Sequence, residues 1–193
     1  MDVTAPMSFD LTDSAATDAL GAALGRTLMA LASCAGEPPG RSAADAAAVP
    51  GPTAAASVLY LRGELGAGKT SAVRALLRAV GVQGPIRSPT YTLLDTYLAG
   101  GLICVHVDLY RLQVRSEVEE LGLRDLLGPA TLLLIEWPER GCDALPPADV
   151  ELALDYAGDG RRASLAASTG LGRAWLEKLV LDTSLSPYVS NLT

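Results

Sequence analysis

The chain has 193 residues, of which 49% are hydrophobic, enough to bury one substantial core, and its length predicts one domain. Acidic residues outnumber basic ones by 22 to 15, and the formal net charge of -7 argues against direct, charge-driven binding of RNA. A nucleic-acid role would need a partner or a local basic patch, such as one formed by Arg74, Arg78 and Arg87; the alternative is that these arginines are a solvated helix face.

The first predicted element is a helix. Asp13 or Ser14 can cap it, and leucines spaced mostly three or four residues apart form an apolar stripe that ends at Leu31. Residues 36–56 then hold four prolines and mostly small side chains. Such a segment cannot bury enough apolar surface to offset the entropy of ordering it, so we interpret it as a linker or surface insertion.

Strand and helix signals alternate after this segment, which indicates a sheet with helices packed on its faces. The predicted strands are Ser57–Arg62, Tyr91–Tyr97, Leu102–Asp108, Thr131–Trp137, Val150–Tyr156 and Ala163–Ala167. The predicted helices are 70–80, 116–121 and 171–181. Gly158, Asp159 and Gly160 favour a hairpin between the last two strands, and therefore a mixed sheet.

We therefore expect one domain over residues 1–182. The C-terminal tail, residues 183–193, has no periodic pattern, and we expect it to be ordered only if something docks it.

A phosphate-binding motif lies between the strand 57–62 and the helix that follows it. The segment Gly63–Thr70, GELGAGKT, fits the pattern G-x-x-x-x-G-K-[ST]. Its glycines let the backbone aim successive N–H groups at phosphate oxygens, and the helix contributes the positive end of its dipole. Lys69 is expected to reach the terminal phosphates and the Thr70 hydroxyl to bind magnesium. A tight glycine turn before an ordinary helix is the alternative.

Two carboxylates are candidates for holding magnesium and orienting water, because each ends an apolar strand. Glu136 ends the apolar run that begins at Thr131, which is the pattern of a Walker B strand buried on both faces. Asp108 ends the strand that begins at Leu102 in the same way. Either acid could instead simply be the polar residue that terminates a strand.

His106 and Trp137 lie beside these acids. The only histidine, His106, precedes Asp108 by two residues, so a catalytic role is conceivable, but we favour a packed or hydrogen-bonded structural residue. Trp137 follows Glu136, and we expect a core or interface packing role, with a mobile cover of the site as the alternative.

A further loop, Arg87–Thr92, gathers hydroxyls around Pro89, which disfavours helix just before it. In many P-loop proteins this connection senses the terminal phosphate. A plain polar loop is the alternative.

The three cysteines, Cys34, Cys104 and Cys142, have neither a CxxC nor a zinc-like spacing, and we interpret them as reduced thiols of a cytosolic protein. The first twenty residues contain no Lys or Arg, which is the wrong charge for a secretory signal, and no apolar run approaches the roughly 20 residues of a membrane span. We therefore expect a soluble, cytoplasmic protein with no membrane contact.

Taken together, GELGAGKT, SPTYTL at Ser88–Leu93, HVDLYRL at His106–Leu112 and IEWPER at Ile135–Arg140 resemble the TsaE (YjeE) family. The resemblance covers roughly residues 57–156, includes the acidic EELG segment at 119–122, and extends weakly to the N-terminal helix. It implies a P-loop NTPase-type α/β fold, with a mixed, mostly parallel sheet and helices on both faces. The link at 36–56 departs from the family pattern, because it is longer and richer in proline.

The resemblance further implies ATP or ADP at the P-loop and Mg²⁺ held by Thr70 and Glu136. Lys69, Asp108 and Glu136 would be catalytic, with Asp108 also near the metal, and the SPT loop would act as a switch. Adenine is expected near Asp13–Thr17. The expected nucleotide contacts are Glu64, Leu65, Gly66, Ala67, Gly68, Lys69, Thr70, Ser71 and Thr90.

The family's function implies partners. Similar proteins act with the TsaB–TsaD pair in threonylcarbamoyl modification of the tRNA adenosine beside the anticodon, so we expect contact with tRNA only through that complex, and ATP turnover that is slow in the isolated chain.

Three other functions share parts of this pattern. A small GTPase would need an Asn-Lys-x-Asp guanine reader, but the only asparagine is Asn191. A small-molecule kinase could recruit Arg111, Arg115 and Arg124 as a lid. A nucleotide-dependent assembly module with negligible turnover would use Asp108 and Glu136 only to tune affinity.

Overall fold

A computed structural model describes residues 7–35 and 56–190 and contains one seven-stranded sheet. Its strands are β1 (Met7–Leu11), β2 (Ser57–Arg62), β3 (Leu94–Ala99), β4 (Leu102–Asp108), β5 (Thr131–Glu136), β6 (Val150–Ala157) and β7 (Gly160–Ala167). The helices are α1 (Ser14–Ala35), α2 (Lys69–Ala79), α3 (Arg115–Glu120) and α4 (Gly170–Val180). Short 3-10 helices occupy Pro138–Arg140, Cys142–Ala144 and Thr183–Tyr188. Across the described residues, no helix is both long and apolar enough to cross a membrane.

The strand order is β1-β7-β6-β2-β5-β4-β3. The four neighbouring strands β6, β2, β5 and β4 are parallel, whereas β3, β7 and β1 join by antiparallel pairing. The predicted mixed, mostly parallel sheet is therefore confirmed. Parallel pairing matters for function because it brings the carboxyl ends of β2, β4 and β5 to one edge.

Helices cover both faces of the sheet, but unequally. α1, α2 and α4 pack over one core, whereas α3 and the loops around it close the other. α1 and α2 approach closely at Gly21, where a Cβ atom would lie 2.2 Å from the Ala72 carbonyl oxygen. Only glycine fits at that crossing.

The predicted bounds of α2, α3 and α4 differ from the observed ones by one residue, but the starts of two strands, β3 and β7, differ by three. β1 was not predicted. β3 begins at Leu94 rather than Tyr91, because Leu93 turns back with φ 64° and donates its N–H to the Pro89 carbonyl. β5 ends at Glu136 because Trp137 has φ 61°. β7 begins at Gly160 rather than Ala163, because its pairing with β6 continues past the apolar residues as far as Ala157 and Gly160.

Residues 182–190 pack against α1 and β1. Arg26 of α1 contacts Asp182 at 2.8 Å, Leu185 is buried, and Val189 bridges to Phe9 of β1. Residues 191–193, and the predicted linker except for Ala56, lie outside the described residues.

Candidate functional site

The P-loop runs from the end of β2 into the first turn of α2. Gly63, Gly66 and Gly68 all have positive φ, at 135°, 79° and 109°. At Gly63 a Cβ atom would also lie 2.3 Å from the Leu154 carbonyl oxygen, so only glycine fits there. The loop that results leads directly into the N-terminus of α2, the end of a helix that attracts anions.

Lys69 lies inside this loop, with only 4% of its surface exposed. Its Nζ donates to the carbonyl oxygens of Gly63 and Glu64 at 2.7 and 2.9 Å and lies 3.9 Å from the centre of the Trp137 ring. Desolvation lowers the pKa of Lys69, while Glu136, Asp108 and Glu139 oppose this shift through their negative charge. The loop therefore holds one buried cation close to two buried acids.

Those two acids, Asp108 and Glu136, end adjacent parallel strands and are paired in the sheet register. Both are almost completely buried, at 4% and 2% exposed. The Thr70 hydroxyl donates to the two carboxylate oxygens of Glu136 at 2.8 and 3.0 Å. This contact joins the first turn of α2 to the end of β5. The hydroxyl and carboxylate oxygens in it are ligands of the kind that magnesium prefers.

Asp108 is held by a different set of donors. Its Oδ2 accepts from the hydroxyls of Thr90 at 2.6 Å and Ser88 at 3.2 Å, and its Oδ1 accepts the N–H of Tyr110 at 3.0 Å. The Ser88-Pro89-Thr90 segment therefore contacts one of the two acids directly. A movement of that segment would change the surroundings of Asp108.

His106 is completely buried in β4, and its Nε2 lies 2.8 Å from Glu136 Oε1. The structure thus places the histidine in contact with the acid of the neighbouring strand and not with Asp108, its neighbour in sequence.

Trp137 covers this group of residues. Its left-handed backbone, with φ 61°, turns the chain out of β5, and its ring contacts Lys69 and the ring of Tyr110, 5.0 Å away between centroids. A non-glycine residue in this region is strained, and such strain is concentrated at functional sites. The indole therefore packs against the predicted site itself.

Two residues of the β6–β7 hairpin also hold the P-loop. The hydroxyl of Tyr156 donates to the Leu65 carbonyl at 2.9 Å, and Arg161 lies over the Tyr156 ring and donates to the Gly66 carbonyl at 3.5 Å. This role was not predicted, because the contacts form only when the fold brings the hairpin to the loop.

The start of α1 reaches the same region. The Asp13 side chain accepts the N–H of Ala16 at 2.8 Å and so caps the helix, as predicted. Thr17 is buried beside the P-loop, where a Cβ atom at Gly68 would lie 3.2 Å from its methyl group. The segment in which adenine is expected therefore adjoins the phosphate loop.

Other predicted residues are less closely involved. Glu64 and Leu65 are exposed, and Ser71 is half-buried on α2. Of the three arginines considered as a basic patch, Arg74 and Arg78 line an open groove of about 520 Å³ between α1 and α2, and Arg87 does not.

Comparisons with known proteins point to one family. The model of the family described as "Threonylcarbamoyl adenosine biosynthesis protein TsaE" matches residues 11–164. The tRNA threonylcarbamoyladenosine biosynthesis protein TsaE of Haemophilus influenzae is 45% identical over 121 residues, 63% of this chain and 77% of that protein. The Bacillus subtilis protein of the same name is 33% identical over 113 residues, 58% and 70% of the two chains. A crystal structure of Bacillus subtilis YdiB superimposes with a TM-score of 0.64 at 21% identity, covering 92% of this chain and 95% of that one.

Proposed function

Because this chain belongs to the TsaE family, and so to threonylcarbamoyladenosine biosynthesis, we propose that it binds ATP with Mg²⁺ and hydrolyses it to support that tRNA modification. The observation that carries the proposal is the meeting of four side chains at one sheet edge: Lys69, Thr70, Asp108 and Glu136.

The phosphate end of the nucleotide is assigned to the P-loop. Its positive-φ glycines shape the backbone, and α2 begins at Lys69 with its dipole directed at the loop. The Lys69 ammonium already has two oxygen acceptors, the carbonyls of Gly63 and Glu64, which phosphate oxygens would replace or supplement. The proposed nucleotide contacts are thus residues 64–71 together with Thr90.

The side chains at the sheet edge fit a magnesium ion. Thr70, Glu136 and Asp108 offer only oxygen ligands, and two buried carboxylates face a single buried ammonium, so a divalent cation would offset their remaining charge. Within residues 7–35 and 56–190, no group of three or more His, Cys, Asp and Glu side chains is placed to hold a metal by itself. The site therefore suits an ion that is shared with phosphate oxygens, whose negative charge it neutralises when bound.

The two acids have separate tasks in this proposal. Glu136 acts with Thr70 at the metal. Asp108 contributes to hydrolysis and is set by the Ser88 and Thr90 hydroxyls, so the loop between them works as the switch. Adenine is assigned to the start of α1, around Asp13–Thr17, because that segment borders the P-loop at Gly68.

We further propose that the chain acts with TsaB and TsaD in the cytoplasm and meets tRNA only through that complex. The net charge of -7 supports indirect contact, since an acidic chain repels a phosphate backbone. The buried, unpaired thiol of Cys104 agrees with a reducing compartment.

The arginines that a kinase would need as a lid have other contacts here. Arg115 contacts Asp143 at 2.6 Å, Arg124 donates to the carbonyl of the same residue, and Arg111 lies over the ring of Tyr91. Transfer of phosphate to a metabolite is therefore not favoured over transfer to water.

The experiment is to titrate the full chain with ATP and Mg²⁺ in a calorimeter, and to measure phosphate release alone and with the TsaB–TsaD pair. We expect binding in both cases and faster release with the pair. Absence of binding in both cases would refute the proposal, binding without release would identify an assembly module, and transfer to an added metabolite would identify a kinase.

A further inference from the structure

His106 makes one hydrogen bond and leaves one polar atom without any. The side chain is 0% exposed, Nε2 lies 2.8 Å from Glu136 Oε1, and Nδ1 has no hydrogen-bond partner in the described part of the chain. The contact of Nε2 with Glu136 is therefore the only hydrogen bond of this ring in the described part of the chain. The ring is therefore oriented by Glu136 alone.

Core packing does not account for a histidine at this position. A buried polar atom that lacks a partner is unfavourable, and an aliphatic side chain of similar size would avoid it. The neighbouring inward-facing residues of the sheet, Cys104 and Leu134, are apolar and buried. A polar residue that costs stability here is explained by the hydrogen bond between its other nitrogen, Nε2, and Glu136.

The two acids of the site also differ in how firmly they are held. Asp108 accepts from two hydroxyls and one backbone N–H, whereas Glu136 accepts from Thr70 and His106. Thr70 is the residue whose hydroxyl oxygen is assigned to magnesium. His106 is thus the one donor to Glu136 that has no other task in the site.

We propose that His106 is a positioning residue that fixes the Glu136 carboxylate against Thr70 for ATP hydrolysis. It reaches Glu136 from two residues earlier in the adjacent strand, since His106 pairs with Leu134 and Asp108 with Glu136 in the register. Among the described residues it makes no hydrogen bond to the P-loop or to Asp108, and its effect passes through Glu136. This inference rests on the proposed ATPase function, but the orientation of Glu136 can be measured without turnover.

The test uses three variants. His106→Leu removes the hydrogen bond and keeps similar bulk, and His106→Gln restores an N–H donor on a flexible chain. Cys104→Ala, two residues earlier on the same buried face, is the control for a general disturbance of β4. Each is measured for kcat and KM of phosphate release with the partner pair, for melting temperature, and by a crystal structure of the chain without nucleotide.

We expect His106→Leu to lower kcat about 10- to 100-fold, as is typical when a residue that orients a metal ligand is lost, with KM changed less than about threefold. His106→Gln should recover most of this loss, and Cys104→Ala should keep wild-type kcat. In the crystals, Glu136 should leave Thr70 in His106→Leu and stay in His106→Gln.

The inference is overturned if His106→Leu keeps wild-type kcat, if His106→Gln is as slow as His106→Leu, or if Glu136 keeps its contact with Thr70 in the His106→Leu crystal. If the wild type releases no phosphate with or without partners, the proposed function fails, and the crystal structures alone decide whether His106 positions Glu136.

Discussion

The Thr70 hydroxyl and the Glu136 carboxylate are in direct contact, with Oγ1 2.8 Å from Oε1 and 3.0 Å from Oε2. This contact joins the first turn of α2 to the end of β5. It places a hydroxyl and a buried carboxylate where the proposed metal needs two oxygen ligands, and it gives Glu136 a role that differs from nucleotide binding.

Glu136→Gln is therefore expected to reduce hydrolysis far more than binding. The substitution keeps the size of the side chain but removes the charge that would face the metal, so kcat should fall about 100-fold or more while the Kd for ATP changes by less than about fivefold. Phosphate release and calorimetry measure the two quantities. Glu151→Gln, an acid of β6 that pairs with Arg62 at 2.8 Å, is the control and should stay within about twofold of wild type. Unchanged hydrolysis in Glu136→Gln would show that the assignment of this carboxylate is wrong.

Lys69→Ala should abolish tight ATP binding. The ammonium is buried in the loop, and a charge-assisted contact with phosphate is worth about 3 kcal/mol, so affinity should fall about 100-fold. Calorimetric titration with ATP and Mg²⁺ gives the Kd.

The only other lysine in the sequence, Lys178, lies in the last turn of α4 and provides the control for Lys69. Lys178→Ala should bind ATP as the wild type does. Equal affinities of the two variants would mean that the P-loop is not the phosphate site.

Thr90→Val tests the switch loop. It removes the 2.6 Å hydrogen bond to Asp108 and keeps the shape of the side chain, so we expect about a tenfold slower hydrolysis. Because Thr90 is also a proposed nucleotide contact, ATP affinity should fall too, but by less than the rate. Thr92→Val is the matched control, because its hydroxyl contacts Asp95 at 3.3 Å on the surface. If both variants lose activity equally, the loop acts through its general conformation and not through the contact with Asp108.

Gly63→Ala should destabilise the fold as well as the site. The added Cβ would meet the Leu154 carbonyl at 2.3 Å, and φ is 135°, so we expect a loss of about 3 kcal/mol or more in the free energy of unfolding. Gly84 also has a positive φ, 79°, but no atom lies within 4 Å of a Cβ added there. Gly84→Ala should therefore lower the free energy of unfolding by only about 1 kcal/mol. Urea unfolding of both variants separates the clash from the backbone strain; equal losses would contradict the role of the clash.

The sequence predicted the parts of this molecule that are encoded locally. Apolar runs that end in an acid predicted β4 and β5, and G-x-x-x-x-G-K-[ST] predicted the turn into α2. Contacts that depend on strand register could not be predicted, because His106 meets Glu136 only once β4 lies beside β5. The same reason hid the contact of Tyr156 with the P-loop, and β1 was missed because a five-residue strand at the sheet edge has too short a pattern.

The docked C-terminal segment gives a prediction about pH. Burial alone would raise the pKa of Asp182, but hydrogen bonds from Ser184 and Arg26 outweigh it and lower that pKa below 3.8. A carboxyl whose pKa is lower in the folded than in the unfolded state stabilises the fold above the unfolded value, and this contribution is lost as the pH falls through the folded value.

Asp182→Asn should therefore lower the free energy of unfolding at pH 7 by about 0.5–1 kcal/mol, a modest loss because Arg26 is half exposed. The difference from wild type should begin to shrink as the pH falls below 3.8, where the carboxyl of the unfolded chain takes up a proton, and should vanish once the pH falls below the lowered pKa of the folded carboxyl. Urea unfolding at pH 7 and pH 3 measures both differences. Asp159→Asn, in the β6–β7 turn, is the control and should match wild type at both values. A difference for Asp182→Asn that persists unchanged at pH 3 would mean that its charge does not hold this segment to α1.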